Sequence, residues 1–407
     1  MRHSKFTILL SATLLAGFGV ACSSSSGTAQ KGNSGGGGSG GAGGGGGSLA
    51  DAAADQRAAA RPPDVAAVGG IDGPVGTGGV GGREAGGTTS AGGTTTTGGT
   101  KGGAGNSSSG SIWGGTAPSC SGLAATCGPS GNDDCCKSLL VPGGTFDRSY
   151  DGVDFKDPNY PATVDDFYLD KYEITVGRFR QFVSAGMGTQ ASPPAAGAGA
   201  HPGITGSGWD STWNTNLAGN KATLTTNLKC WPSSQTWTDT AGSNESKPVN
   251  CLDWYAAFAF CAWDGGRLAT EAEWNYAAAG GDEQRYYPWS SPPTSTTIDD
   301  SYAVYCASNN PPCIFSIQNV GSKSPKGDGK WGQSDLAGNV WEWTLDWYAA
   351  YPSPCIDCAD LTAATYRVRR GGGFDGSASL LRSADRSNDY PLYLNYYLGA
   401  RCARTSL

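Results

Sequence analysis

Large apolar side chains are distributed very unevenly along the 407-residue chain. After an apolar run at residues 6–19, positions 22–112 consist almost entirely of Gly, Ser, Thr and Ala. A segment with so few large apolar side chains cannot offset the entropy lost on ordering, so we expect a disordered Gly/Ser-rich tether. All 13 Trp residues lie at or beyond Trp113. Only this part of the chain can bury a sizeable core.

Within the aromatic-rich part, local patterns predict an α+β domain with much irregular chain. Residues 163–175 alternate and are rich in aromatic and β-branched side chains, which predicts one strand. The threonine that ends this run is expected to cap a helix over residues 176–185, where apolar residues recur at helical spacing. Residues 253–264 predict a largely buried helix that ends at two glycines. Thr270 and Glu273 have the spacing of a capping box and predict the start of a third helix.

Charge and histidine content exclude several classes of protein. The formal net charge is -7, and no dense cluster of Lys or Arg is present, so nucleic-acid binding is not expected. Of the two histidines, His3 lies in the N-terminal leader, which leaves His201 for the rest of the chain. Mechanisms that need several imidazoles, such as zinc hydrolysis or a three-histidine iron site, are therefore excluded by count.

The first 21 residues have the pattern of an export signal. A short basic segment precedes the apolar run, which is too short for a stable membrane span, and small residues precede Cys22. The Val-Ala-Cys ending resembles a lipobox, so we expect lipidation of Cys22 and attachment to a membrane, with Ser23 indicating the outer membrane or cell surface. The alternative is ordinary signal cleavage without lipidation, because Gly19 replaces the Leu usual at that position.

The number of cysteines agrees with export. Subtracting Cys22 from the 13 cysteines leaves 12, an even number, and disulfides are the default outside the cytoplasm. Four closely spaced cysteines predict a small two-bridge knot: Cys120, Cys127, Cys135 and Cys136. Cys306 with Cys313, and Cys355 with Cys358, are expected to be local loop clips. A metal site at the last pair is less favoured, because no second pair has a matching spacing.

Eight short motifs follow one another between residues 141 and 404. They are residues 141–146 (VPGGTF), 167–175 (FYLDKYEIT), 247–250 (KPVN), 266–274 (GRLATEAEW), 287–289 (YPW), 335–343 (DLAGNVWEW), 370–372 (RGG) and 399–404 (GARCAR). Their order and spacing resemble the formylglycine-generating enzyme, or sulfatase-modifying factor, family. The resemblance implies a variant of the C-type-lectin-like fold, an α+β fold with much irregular structure. The expected organisation is a signal peptide at 1–21, a disordered linker at 22–112, a small Cys-rich segment at 113–137 and a family domain at 138–405.

The resemblance also implies disulfide partners and a calcium site. By family position Cys261 is expected to pair with Cys402, which leaves Cys230 and Cys251 for each other. The implied calcium ligands are two side chains and two carbonyls: Asp335, Glu342, Gly338 and Val340. Ca²⁺ takes six to eight oxygen ligands, which a turn supplies from carboxylates and backbone carbonyls. We therefore expect a structural calcium ion, with a solvated turn as the alternative.

The resemblance places the catalytic cysteine pair of the family at Gly376 and Leu381. In the enzymes these two cysteines bind copper(I) and activate oxygen to oxidise a substrate cysteine. Neither Gly nor Leu can ligate copper or act as a redox nucleophile. We therefore expect no catalytic residue and no copper, and a domain that binds an unidentified protein or glycan. The alternative is a formylglycine-generating oxidoreductase acting on a cysteine of sulfatase-like substrates, with Cys355 and Cys358 as a replacement pair.

Three further sets of residues are candidates for a binding or catalytic surface. Arg382 and Arg386, one helical turn apart, could line a cleft for an acidic ligand, with salt bridges as the alternative. Four tryptophans could form a sugar-stacking wall, although core packing is the favoured interpretation: Trp209, Trp213, Trp231 and Trp237. Three carboxylates are predicted to lie on the exposed face of a strand rather than to act as acids or bases: Asp165, Asp166 and Asp170.

Overall fold

The computed structural model describes residues 117–307 and 316–405. The predicted signal peptide, the linker, Cys22 and Cys313 lie outside these described residues. Within them, no helix combines the length and the apolar character needed to cross a membrane.

In the described ranges the chain alternates short helices and short strands with long irregular segments. The α-helices are α1 (Val176–Ser184), α2 (Lys221–Asn227), α3 (Trp254–Trp263) and α4 (Glu271–Ala279). Short 3₁₀ helices occur at Pro118–Cys120, Ser211–Asn216, Gly281–Glu283 and Ala378–Leu381. The strands are β1 (Ser138–Val141), β2 (Gly144–Asp147), β3 (Pro161–Val164), β4 (Phe167–Asp170), β5 (Arg267–Leu268), β6 (Trp341–Trp347), β7 (Arg367–Arg370), β8 (Ser387–Asp389), β9 (Leu398–Gly399) and β10 (Cys402–Thr405). This is the predicted α+β class.

Two four-stranded sheets and one hairpin organise these strands. The first sheet has the order β1-β4-β10-β5 and is antiparallel throughout. The second has the order β8-β7-β6-β9, with β9 parallel to β6. The hairpin pairs β2 with β3. In the first sheet Leu169 of β4 faces Ala403 of β10, and both side chains are completely buried. The last described strand therefore occupies a central position in its sheet.

The prediction of one strand over residues 163–175 is wrong. The chain forms two strands there, with the exposed Asp165 and Asp166 between them. Since β3 pairs with β2 while β4 pairs with β1 and β10, the chain has to pass from one sheet to another at these two residues. Asp170 is also misassigned, because its side chain is completely buried rather than on an exposed face. Alternation of residue types gave no sign of the change of sheet.

The helix predictions are confirmed, because the expected N-terminal caps are present. At α1 the Thr175 hydroxyl accepts a hydrogen bond from the Arg178 amide (3.2 Å). At α4 the Thr270 hydroxyl accepts from the Glu273 amide (3.1 Å), and the Glu273 carboxylate accepts from the Thr270 amide (2.9 Å). Asp253 caps α3, whose almost entirely apolar side chains lie in the main core. Each cap satisfies amides that the first helical turn leaves without a partner.

A buried cluster of two arginines and two aspartates joins α1, β4, β10 and the end of α3. Arg178 contacts Asp170 (2.8 Å) and Asp264 (2.6 Å), and Arg404 contacts the same two carboxylates. Burial alone would raise the pKa of Asp170, but Arg404 and Arg178 together lower it. Because the four charges balance, removal of one member would leave a buried charge without a counter-ion, which is strongly destabilising.

Disulfides reinforce this framework. The Cys-rich segment forms a knot of two nested bridges, and the Ser119 amide of the same segment donates to Asp264 (2.9 Å). Among the described residues the bonded pairs are Cys120–Cys136, Cys127–Cys135, Cys230–Cys251, Cys261–Cys402 and Cys355–Cys358. The two bridges of the knot agree with the expected number, and the other three pairs are the ones expected from local spacing or from the resemblance. Cys306 is also disulfide-bonded, and its expected partner, Cys313, lies outside the described residues.

Candidate functional site

The loop after β7 carries the two positions at which the resemblance places a cysteine pair. Gly371 and Gly372 follow β7 with φ of +97° and +74°, a backbone conformation that favours glycine. A Cβ on Gly372 would lie 2.7 Å from the Leu381 side chain, so only glycine allows the loop to pack this closely. The loop then leads into the 3₁₀ turn that contains Leu381.

Leu381 fills its position with a buried apolar side chain. It is 1% exposed and belongs to a cluster with Tyr286, Tyr287 and Tyr305. Gly376 contributes backbone only, and its carbonyl accepts a hydrogen bond from the Cys306 amide (2.8 Å). Neither position offers a sulfur donor, and the volume at 381 is occupied by hydrocarbon.

The tyrosines around Leu381 remain protonated at neutral pH. Burial and a hydrogen bond to Asp154 raise the pKa of Tyr286 to about 12. Burial also raises the pKa of Tyr287, whose ring stacks on Trp289 (5.0 Å between centroids). These phenols can donate hydrogen bonds, but they cannot act as general bases near neutral pH.

The two arginines considered as a cleft are engaged in ion pairs. Arg382 contacts Asp154 (2.7 Å), and both nitrogens of the Arg386 fork contact Glu271 (2.7 and 2.8 Å). Each arginine side chain is 16% exposed. Their guanidinium groups also lie over the rings of Phe155 and Tyr351, respectively. Both arginines therefore form salt bridges in this structure, which was the alternative to a cleft for an acidic ligand.

Arg386 belongs to a buried network that sequence reasoning missed. Glu271, the first residue of α4, also accepts from Arg370 (2.7 Å), which in turn contacts the Tyr351 hydroxyl (2.9 Å). Asp346 accepts from the Glu271 amide (2.7 Å). Burial, together with the nearby Glu271 carboxylate, raises the pKa of Asp346 to about 7. The motifs contained these residues, but no local pattern indicates contacts across 99 and 115 positions.

The segment expected to bind calcium is a tightly wound loop. Asp335, Gly338 and Asn339 have φ of +58°, +90° and +60°. A Cβ on Gly338 would lie 2.5 Å from the Val304 carbonyl oxygen, so this turn requires glycine. The Asp335 carboxylate accepts from the Gly321 amide, and burial raises its pKa to about 6.

Three buried carboxylates share this region: Glu173, Asp335 and Glu342. Arg401 forms a bidentate pair with Glu342 (2.7 and 2.6 Å). Glu173, which sequence reasoning missed, accepts from the side chain of Asn339 (2.7 Å). Burial and then the charges of Asp335 and Glu342 raise the pKa of Glu173 well above its ordinary value. Since Arg401 is the cation that interacts with all three acids, the cluster carries surplus negative charge when they are ionised.

This cluster fits a bound cation in charge but not fully in geometry. In the part of the chain that the structure describes, no three His, Cys, Asp or Glu side chains converge closely enough to hold a metal ion. A calcium ion would therefore depend on the carbonyls of Gly338 and Val340 as well. Both oxygens of Glu342 already accept hydrogen bonds from Arg401, which would compete with the ion for this carboxylate.

The four tryptophans considered as a sugar-binding wall do not form one. Trp209 and Trp237 are each 2% exposed. Trp213 is packed against Trp254 of the core (5.2 Å between centroids). Trp231 is 53% exposed and lies beside Tyr396 (5.5 Å). Core packing thus accounts for three of the four rings.

An apolar pocket of about 180 Å³ opens between α1 and α3. Its walls include Phe182, Met187 and Trp263. None of the residues that line it belongs to the positions assigned by the resemblance.

Comparison with known proteins identifies a family match and several similar proteins. Residues 124–406 match the sulfatase-modifying factor enzyme 1-like domain, so the match begins within the Cys-rich segment. The formylglycine-generating enzyme of Streptomyces coelicolor is 29% identical over 300 residues, covering 65% of this chain and 88% of that protein. The inactive C-alpha-formylglycine-generating enzyme 2 of Bos taurus is 30% identical over 295 residues, covering 67% and 89%.

A more distant relative and one solved structure complete the comparison. The hercynine oxygenase of Mycolicibacterium smegmatis is 26% identical over 286 residues, covering 65% of this chain and 60% of that protein. The structure of PvdO from Pseudomonas aeruginosa is similar with a TM-score of 0.45 and 19% identity, covering 67% of this chain and 95% of that one. With a family match over more than half of its length, the chain belongs to the sulfatase-modifying factor enzyme 1-like domain family.

Proposed function

We propose that this chain is an exported lipoprotein whose family domain binds a protein or glycan and does not generate formylglycine. The observation that carries the proposal is the side chain at position 381. Copper(I) needs soft sulfur donors, and a leucine that is 1% exposed fills the place where the resemblance expects one. Gly376 supplies no side chain for the second donor.

Two further observations support the loss of oxidase activity. The alternative thiolate pair, Cys355 and Cys358, is joined in a disulfide in this structure, and this oxidised form offers no free sulfur for copper. In addition, one of the relatives is described as an inactive formylglycine-generating enzyme, so members without the activity are known in this family.

A copper and turnover assay tests this proposal. The purified full chain would be titrated with copper(I) and then incubated in air with a cysteine-containing peptide, and the peptide would be examined by mass spectrometry. We expect no tight copper binding and no aldehyde. The matched control is the double variant Gly376→Cys, Leu381→Cys, which places two sulfur donors at these positions. Copper binding with aldehyde formation by the unmodified chain would overturn the proposal and support the oxidoreductase alternative.

We also infer export and lipid anchoring from the N-terminal sequence. The signal-like residues 1–21, the lipobox-like ending at Cys22 and the disulfide-rich domain support this inference together. In a cell that exports the protein, the Cys22→Ala variant should move from the membrane fraction to the soluble exported fraction. An unchanged distribution would contradict a lipid anchor at this residue.

The third element of the proposal is a structural calcium ion bound by Asp335, Glu342 and the carbonyls of Gly338 and Val340. It is supported by the surplus negative charge of the buried cluster. A ligand that binds only the folded state stabilises it by about 2.7 kcal/mol at 100 times its Kd. Excess calcium should therefore raise the melting temperature relative to EGTA, and Asp335→Asn should abolish the difference. Equal melting temperatures of the unmodified chain in both buffers would remove calcium from the proposal.

A further inference from the structure

A disulfide outside the family site lies in a surface loop and spans only two intervening residues. Cys355 is 4% exposed, whereas Cys358 is partly exposed. Ile356, between them, is 71% exposed, which is unusual for a large apolar side chain. Of the two cysteines, Cys358 is therefore the more exposed residue, and it lies two positions from an apolar side chain that an approaching polypeptide could contact.

The backbone on both sides of Ile356 is fixed to β3. The Thr163 amide donates to the Cys355 carbonyl (2.9 Å), and the Asp357 amide donates to the Thr163 carbonyl (2.9 Å). These two hydrogen bonds do not depend on the sulfur–sulfur bond. The loop can therefore keep its position when the disulfide is opened.

A buried guanidinium contacts the sulfur of Cys358, the more exposed of the two cysteines. Arg148 is 2% exposed, and its Nη1 lies 3.6 Å from Cys358 Sγ. Its other nitrogens donate to the backbone carbonyls of Tyr160 (3.2 Å) and Pro352 (2.7 Å). Among the residues that the structure describes, no carboxylate lies within ion-pair distance of this guanidinium. The negative charge of a Cys358 thiolate would thus form next to a cation that lacks a direct counter-ion, and such a cation lowers the pKa of a thiol.

The carboxylate next to Cys358 in the same loop interacts with other groups. Asp357 precedes Cys358, and its Oδ1 accepts a hydrogen bond from the Asp165 amide (2.8 Å). The His201 ring also interacts with this carboxylate. Arg148 is therefore the charged group in direct contact with the sulfur.

Among the disulfides between described residues, this one closes the shortest loop. Cys355 and Cys358 are 3 positions apart, whereas Cys261 and Cys402 are 141 positions apart. In the chain-entropy model the stabilisation by a disulfide grows with the length of the loop that it closes. Reduction of the short ring therefore releases little restraint on the unfolded chain.

We propose that Cys355 and Cys358 form a thiol–disulfide exchange site that accepts two electrons from a dithiol in another exported protein. A substrate thiolate attacks Cys358 Sγ, the bond between the two cysteines breaks, and Cys355 leaves as a thiolate that takes up a proton. The second substrate thiolate then attacks the substrate sulfur of the mixed disulfide, and Cys358 leaves as a thiolate beside Arg148. The substrate dithiol is oxidised to a disulfide, and the cysteine pair is reduced to two thiols.

The first experiment compares two disulfides in the same molecule. Cys230–Cys251 is the matched control, because it also joins a partly exposed cysteine to a buried one. The folded full chain would be equilibrated in glutathione buffers, alkylated and analysed by peptide mass spectrometry. The quantity compared is the ratio of the squared concentration of reduced glutathione to the concentration of oxidised glutathione at which half of a pair is reduced. We expect this ratio for Cys355 and Cys358 to be at least ~100-fold below that for the control pair. Equal ratios for the two pairs would overturn the proposal.

The second experiment tests the role of Arg148 and the transfer of electrons. In the reduced chain, alkylation of Cys358 should have its pH midpoint at least about one unit below 8.5, the ordinary pKa of a thiol. Arg148→Lys should keep most of this shift and Arg148→Met should lose it. When the oxidised chain is mixed with a peptide dithiol in the absence of oxygen, one peptide disulfide should form for each Cys355–Cys358 disulfide that is reduced. With the Cys355→Ser, Cys358→Ser variant, no peptide disulfide should form. An ordinary midpoint in the unmodified chain, which needs no variant to fold, would contradict the proposal.

Discussion

Leu381 is the residue on which the proposed absence of copper chemistry depends, and its packing can be measured. Replacing it by Ala should lower the free energy of unfolding by roughly 2–4 kcal/mol, because the change removes buried methyl groups and leaves a cavity among the tyrosines. Urea denaturation followed by fluorescence gives this value. Leu392→Ala is the control, since Leu392 is 44% exposed, and it should cost less than about 1 kcal/mol. A similar small loss at Leu381 would show that the position is not a packed part of the core.

Asp346 should make stability depend on pH in the acid range. Its pKa is raised from 3.8 to about 7 by burial and by Glu271, so the folded state binds the proton more tightly than the unfolded state. The stabilisation from this proton is present below about pH 4 and is lost as pH rises to about 7. At about 1.4 kcal/mol per pKa unit, the loss is on the order of 4 kcal/mol.

The Asp346→Asn variant isolates this effect. Asn keeps a similar shape and an oxygen that can accept from the Glu271 amide, but it does not titrate. The free energy of unfolding of the variant should fall less than that of the unmodified chain between pH 4 and pH 7. Parallel pH profiles for the two proteins would show that Asp346 titrates normally in the folded state.

At the scale of elements, the capping box of α4 deserves a direct measurement because it also positions Glu271 for the buried network. Thr270→Ala removes the hydroxyl that accepts from the Glu273 amide and should cost about 1–2 kcal/mol. Thr226→Ala, on the exposed side of α2, is the control and should change stability by less than about 0.5 kcal/mol. Thermal unfolding monitored by circular dichroism compares the two. Similar losses for both variants would argue against an energetic role of the cap.

Local sequence signals predicted the helices well because caps and helical periodicity act within one or two turns. Thr175, Asp253 and Thr270 each cap the helix that the pattern indicated. The single strand over residues 163–175 failed because the side chains alternate through the turn at which the chain changes sheet. The burial of Asp170 was missed for a related reason, since its partner Arg404 lies 234 positions away.

In the candidate site, too, motifs identified some residues, whereas the contacts between distant residues were missed. The resemblance identified Gly376, Leu381 and the segment expected to bind calcium, because these positions lie in or next to the motifs on which the resemblance rests. It did not indicate that Glu342 pairs with Arg401, 59 positions later. Glu173 lay within a quoted motif, but only the folded chain brings it beside Asp335. The charge balance of the cluster is therefore a tertiary property and could not be obtained from the motifs.

At the scale of the whole molecule, one disulfide closes a loop that spans about half of the family domain. Replacing Cys261 and Cys402 by Ala should lower the free energy of unfolding by about 5 kcal/mol in the chain-entropy model, since the loop spans 141 positions. The same change at Cys355 and Cys358 should cost only about 2 kcal/mol. Chemical denaturation of the two double variants measures the difference. Equal losses would mean that native contacts, rather than loop closure, set the contribution of each bond.

The central position of β10 in the first sheet also governs when this domain can fold. Its neighbour β4 and its disulfide partner in α3 are both made long before it, and neither has its contact with β10 until residues 402–405 are available. Contacts between distant parts of a chain form slowly. A polypeptide arranged in this way cannot complete its first sheet until this strand is made and, if exported as proposed, could be threaded through a narrow translocation channel before that sheet closes.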